Sequence, residues 1–213
     1  MRPAFLCLLT AFLAAAPVIW ATGGVTAIAA AAAPASLRVQ VVDADGVPVR
    51  DAVVEVHSAK GGAGPIRFPW KMGMAQKDQQ FVPGTLIVAK GSTVAFPNLD
   101  TVRHSIYSFS KAARFTIELY GRDQTRTQTF PITGSVKLGC NIHDQMRGYI
   151  RVTDTPFAGK TDQNGYVTLT GVPAGGARVT VWHPMLRAVG NETSSALQVT
   201  GAGQSHKLKV AVR

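Results

Sequence analysis

Three side chains that bind soft or borderline metals recur at three-residue spacing in the stretch LGCNIHDQMRGY: Cys140, His143 and Met146. A thiolate, an imidazole and a thioether together favour copper, because sulfur ligands suit Cu(I) and imidazole suits Cu(II). Zinc would usually take another Cys or His in place of Met146. Each residue also has an ordinary explanation. A single cysteine is most often a small buried hydrophobe, and a single methionine a core filler. A Cys–His nucleophile needs its imidazole from a distant segment with an orienting partner, which this spacing only imitates. The triplet alone leaves two readings open, metal ligand or inert thiol.

The rest of the chain bears on that choice. After Arg2 no charged residue appears before Arg38, and the interval holds PAFLCLLTAFLAAAPVIW followed by an Ala-rich tract. A positive start, an apolar core and a small-residue exit predict a secretory signal helix over residues 1–33, cleaved between Ala29 and Ala35. The alternative is an uncleaved membrane anchor, since the uncharged run is long enough to span a bilayer. Either way the remainder is expected in the periplasm or outside the cell. Cys7 lies within the signal, so Cys140 is the one cysteine of the expected mature chain. It then has no internal disulfide partner in a compartment that favours disulfides. Such a thiol is protected by burial or by a metal.

Lys and Arg outnumber Asp and Glu by 22 to 12, and residues 66–154 carry twelve of the basic and six of the acidic side chains. An exported basic chain does not meet genomic DNA, so no nucleic-acid partner is expected. An acidic protein partner or an anionic membrane surface fits better, through long-range attraction. A solvated basic face without a partner is the plainer reading. No H-x-H pair, phosphate loop, dinucleotide fingerprint or CxxC motif occurs in the sequence, and no enzyme activity is expected.

Short β-branched or alternating runs, among them LRVQVV, AVVEVH, TLIVA, FTIELY, YVTLT and ARVTVW, are separated by Gly, Pro, Asn and Asp. This pattern predicts an all-β chain of sandwiches or small barrels. DADGVPVRDAVV (43–54) and TDQNGYVTLTGVPAGGARVTV (161–181) lie about a hundred residues apart. Together they resemble the small transthyretin-like or carboxypeptidase-regulatory-like sandwich. That resemblance implies one sandwich split between residues 37–60 and 157–213, with a second β domain, 66–154, inserted in it. The alternative assigns strands 37–58 to the central domain.

Within the central region, QFVPGTLIVAKGSTVAFPNLDTVRHSIYSF (80–109) and CNIHDQMRGYIRV (140–152) resemble a cupredoxin of the amicyanin or plastocyanin type, a Greek-key β-sandwich. The resemblance implies one mononuclear type 1 copper site. His104 would come from the upstream loop, and Cys140, His143 and Met146 from the loop between the last two strands. It also implies that Asn98 ties the two ligand loops together near the cysteine sulfur. With VRHSIYSF, LGCNIHDQM and DTPF, the whole chain is similar to exported methylamine-utilisation proteins. The implied function is transfer of single electrons between a redox donor and acceptor. The alternative is a copper-binding carrier without a redox role. Amicyanin-like loops often carry Pro beside the second histidine, where this chain has Asp144 and Gln145, which implies a more polar docking face. His57, His183 and His206, with Met72, Met74 and Met185, are expected to serve packing and surface.

Overall fold

The computed structural model describes residues 36–62, 64–201 and 203–212; the expected export signal, 1–33, lies outside them. Strands β1 (Ser36–Val42) and β2 (Val53–Ser58) come first. Next follow β3 (Ala75–Lys77), β4 (Gln80–Val82), β5 (Thr85–Ala89), β6 (Ser92–Pro97), β7 (His104–Ser110), β8 (Ala113–Tyr120), β9 (Thr125–Phe130), β10 (Gly134–Gly139) and β11 (Arg147–Thr153). The chain then runs through β12 (Ala158–Lys160), β13 (Tyr166–Thr170), β14 (Gly175–Trp182), β15 (Glu192–Val199) and β16 (Gln204–Lys209). The protein is all-β; among the described residues the one helical element is a 3₁₀ turn at Val189–Asn191.

Strands from the two ends of the chain pair with each other. One sheet has the order β13-β1-β16 and another β12-β2-β14-β15. Alternation explains why they stack. Leu37, Val39 and Val41 on β1 are buried, as are Val54 and Val56 on β2 and Val179 and Val181 on β14, and all lie in one apolar cluster. Residues two apart on a strand share a face, so each β-branched run presents one continuous apolar surface.

The intervening strands build a separate core. A five-stranded sheet, β5-β11-β10-β7-β8, accompanies the pair β6-β9 and the short hairpin β3-β4. Their buried side chains include Val94, Phe96, Ile106, Phe130, Val136, Leu138 and Ile150, and the same cluster takes in Cys140 and Met146. Met74 is fully buried there, and Met72 packs against it.

The two cores meet through a third cluster of Val53, Ile87, Ala158 and Trp182, flanked by Phe68, Trp70 and Tyr149. Beside it Arg151 of β11 reaches into the split sandwich. Its Nε donates to Glu55 Oε2 at 2.9 Å and its Nη1 to Glu192 Oε2 at 2.7 Å. Each fully buried apolar side chain contributes about 1.5–3 kcal/mol, so the apolar cluster supplies the adhesion. The buried ion pair adds less net energy, because desolvation offsets most of the attraction.

Candidate metal centre

The Cys140–Met146 segment closes a hairpin. β10 and β11 are antiparallel, and Gly139 pairs with Arg147, so both ends of the loop are clamped by the ladder. Cys140 follows the last residue of β10 and Met146 precedes the first of β11. Within the loop the Met146 N–H donates to the His143 carbonyl at 2.9 Å, forming a compact turn. β7 lies beside β10, with Tyr107 opposite Gly139. A Cβ on Gly139 would sit 2.5 Å from the Tyr107 ring, so only glycine allows this approach.

His104 enters from β7. The register of β7 against β8 shifts between His104 and Ile106. Such a bulge breaks strict alternation and re-aims side chains. As a result His104, Ser105 and Ile106 are all buried in succession. The His104 Nδ1 lies 3.1 Å from His143 Nδ1 and 3.8 Å from Cys140 Sγ, and His143 Nδ1 lies 3.7 Å from Cys140 Sγ. A point equidistant from the three atoms is about 2.1 Å from each, close to the length of a metal–imidazole bond. Two imidazole nitrogens and a sulfur therefore converge on one point. This is a donor set that could hold a metal ion.

Burial is graded across the site. His104 and Cys140 are buried and His143 is half-buried. Met146 is buried in the core cluster that contains Cys140. One edge, at His143, is therefore the short path to solvent. Ile142 beside it is 52% exposed, and Leu99 and Val102 on the loop before His104 are 50% and 39% exposed. Asp144 and Gln145 also face solvent. The polar pair Asp144 and Gln145 is thus exposed in the same loop as the apolar Ile142.

Two residues that carry much of the local order have no spacing signal in the sequence. Asp100 accepts a hydrogen bond from His104 Nε2 at 2.7 Å and another from the Gln79 N–H at 3.0 Å, with a third from the Asp78 N–H. Burial alone would raise its pKa, but the backbone N–H groups and His104 outweigh that and hold it below the ordinary carboxylate value. Ser105 Oγ accepts from the Asn141 N–H at 3.0 Å and lies 3.8 Å from Cys140 Sγ. The link between the two ligand loops is made by Ser105, directly after His104.

Asn98 acts elsewhere than the resemblance implied. Its Nδ2 donates to the carbonyls of Val102 at 2.9 Å and Tyr120 at 3.0 Å, and its Oδ1 accepts from the Asp100 N–H at 2.9 Å. Both of its Nδ2 donors and one acceptor site of Oδ1 go to its own loop and to the end of β8. Six residues ahead of His104, it shapes the loop that delivers the histidine.

No protein-family model matches the sequence, and neither does any curated protein. Solved structures do match parts of it. A Cu-containing nitrite reductase from Thermus scotoductus aligns at 24% identity and a TM-score of 0.37, over 44% of this chain and 24% of that one. A purple cupredoxin from Nitrosopumilus maritimus aligns at 20% identity and a TM-score of 0.35, over 38% of this chain and 98% of that one. An oxidised amicyanin mutant aligns at 18% identity and a TM-score of 0.37, over 48% of this chain and 99% of that one.

Proposed function

We propose that this chain is an exported type 1 copper protein that carries single electrons between redox partners. The observation that carries the reading is the convergence of His104 Nδ1, His143 Nδ1 and Cys140 Sγ within 4.8 Å of one another. These three would hold the ion, with Met146 as a weak fourth donor. Copper, when bound there, supplies a one-electron couple, because thiolate and imidazole together tolerate both Cu(I) and Cu(II).

The chain's own residues serve that role by staying still. His104 and Cys140 sit at strand ends, and both ends of the Cys140–Met146 loop are clamped by the Gly139–Arg147 pair. A site built on rigid elements changes little between oxidation states, which keeps the barrier to electron transfer low. Burial keeps the Cys140 thiol from solvent oxidants. The partly exposed His143 edge, with exposed Ile142 next to it in sequence, offers a small contact for brief docking. Arg103 and Arg147, exposed beside the two ligand loops, favour an acidic partner.

In this reading 66–154 is a cupredoxin domain and 37–60 with 157–213 is a transthyretin-like module that carries it. The chain belongs to the periplasm and to the exported methylamine-utilisation type. An absorption spectrum of the Cu(II)-loaded full chain tests the assignment. Intense blue colour that bleaches on reduction and disappears in Cys140→Ser is expected. A colourless wild type, or colour unchanged in Cys140→Ser, overturns it; a tightly held but colourless ion points instead to copper carriage without redox work.

A further inference from the structure

We infer that Asp100 is a positioning residue for His104: its carboxylate fixes which imidazole nitrogen faces the metal, and its charge favours the oxidised ion. The inference rests on the copper reading above and adds a determinant of the reduction potential. His104 is fully buried, so its Nε2 has no access to water. The partner that Nε2 has is Asp100 Oδ2 at 2.7 Å. A carboxylate only accepts, so Nε2 carries the proton and Nδ1 keeps its lone pair. Nδ1 is the atom that points at Cys140 and His143.

The carboxylate itself is held on three sides. Asp78 and Gln79 form the turn between β3 and β4, with left-handed φ angles of 52° and 54°. That conformation turns both N–H groups onto Asp100. The Asp100 backbone N–H is tied to Asn98 Oδ1. Among the described residues no Lys or Arg forms an ion pair with Asp100; its one partner of that kind is His104. The negative charge is therefore not cancelled by a cation and is directed through the ring. A carboxylate behind a ligating histidine fixes its tautomer and raises its basicity, strengthening the bond to a more positive ion. Cu(II) gains more than Cu(I), and the reduction potential falls.

The full chain loaded with copper tests this with Asp100→Asn. Loss of such a partner typically costs ten- to a hundredfold in metal affinity. A tenfold loss borne by Cu(II) alone is a rise in potential of about 59 mV for a one-electron couple, and a rise of that order is expected. Asn98→Ala is the control. It loosens the same loop but leaves the carboxylate, so it should lower the melting temperature with a much smaller change in potential. An unchanged potential in Asp100→Asn overturns the inference.

Wild-type protein gives a second reading that does not depend on a variant folding. Nitrogen NMR of the metal-free and Cu(I)-loaded forms should show a slowly exchanging proton on His104 Nε2 and none on Nδ1. A proton on Nδ1 overturns the inference. Absence of blue colour in wild type sinks the copper reading, whereas a blue wild type with an insensitive Asp100→Asn potential sinks this inference alone.

Discussion

The two sandwiches bury similar β-branched faces but use buried polar groups in different ways. In the split sandwich Thr161 Oγ1 donates to the Val49 carbonyl at 2.7 Å and accepts from the Ala52 N–H at 2.9 Å, and Thr155 Oγ1 donates to the Val56 carbonyl at 2.6 Å. Each of these hydroxyls is spent on main chain and closes a turn. At one end of the central sandwich the pattern changes. Asp100 and His104 bond side chain to side chain, and His104 Nδ1, His143 Nδ1 and Cys140 Sγ face one another. A buried polar group whose partners are all backbone maintains the fold. One whose polar atoms converge on a common point is a candidate place for a further species.

Three changes can sharpen or break this contrast. The largest effect is expected at the joint. Arg151→Ala leaves the buried Glu55 carboxylate without its cation, and breaking such a pair costs about 3–5 kcal/mol. Urea unfolding should register that loss while the visible spectrum of copper-loaded protein stays as in wild type. A spectral change would mean the joint and the metal site are coupled. A smaller effect is expected for Ser105→Ala, which removes the bond to the Asn141 N–H. Because Asn141 is exposed and water replaces part of that bond, the loss is about 1 kcal/mol. It should nonetheless move the visible band, since Ser105 Oγ also sits beside Cys140 Sγ. A pure stability loss would place Ser105 with the threonines of the split sandwich.

The smallest effect belongs to His183, after the end of β14. Burial lowers its pKa from the ordinary 6.5, and Asp51 opposes this only in part. As the pH falls past that ordinary value the unfolded chain takes up a proton first, so stability declines until the lower native value is reached. His183→Gln should flatten this part of a melting-temperature profile between neutral and acid pH. The same profile with glutamine present would show that other groups govern acid sensitivity.

Much of this architecture is legible in the sequence because alternation is a local signal. LRVQVV becomes β1 with Leu37, Val39 and Val41 inside, and FTIELY lies within β8. The Cys140, His143 and Met146 triplet is equally local, since one tight loop holds all three. What the sequence does not display is contact between distant turns. Asp100 owes its place to N–H groups of Asp78 and Gln79, more than twenty residues upstream, and no spacing rule connects them. The bulge that buries His104 and Ser105 in succession also violates the alternation from which strands are read. Asn98 shows the converse. An asparagine near a ligand invites a role at the metal, and the amide is consumed in shaping its own loop.

The route of the chain through the joint has a consequence for its integrity. β2, where the chain leaves the split sandwich, pairs with β12, where it returns, through Glu55 with Ala158, Val54 with Gly159 and Val53 with Lys160. The central strands are thus a closed loop hung from two neighbouring threads. A protease that nicks either thread leaves the other as a covalent bridge, so both sandwiches stay on one particle. Release takes two cuts, and the half that carries the candidate metal centre is guarded against loss by the plain redundancy of its attachment.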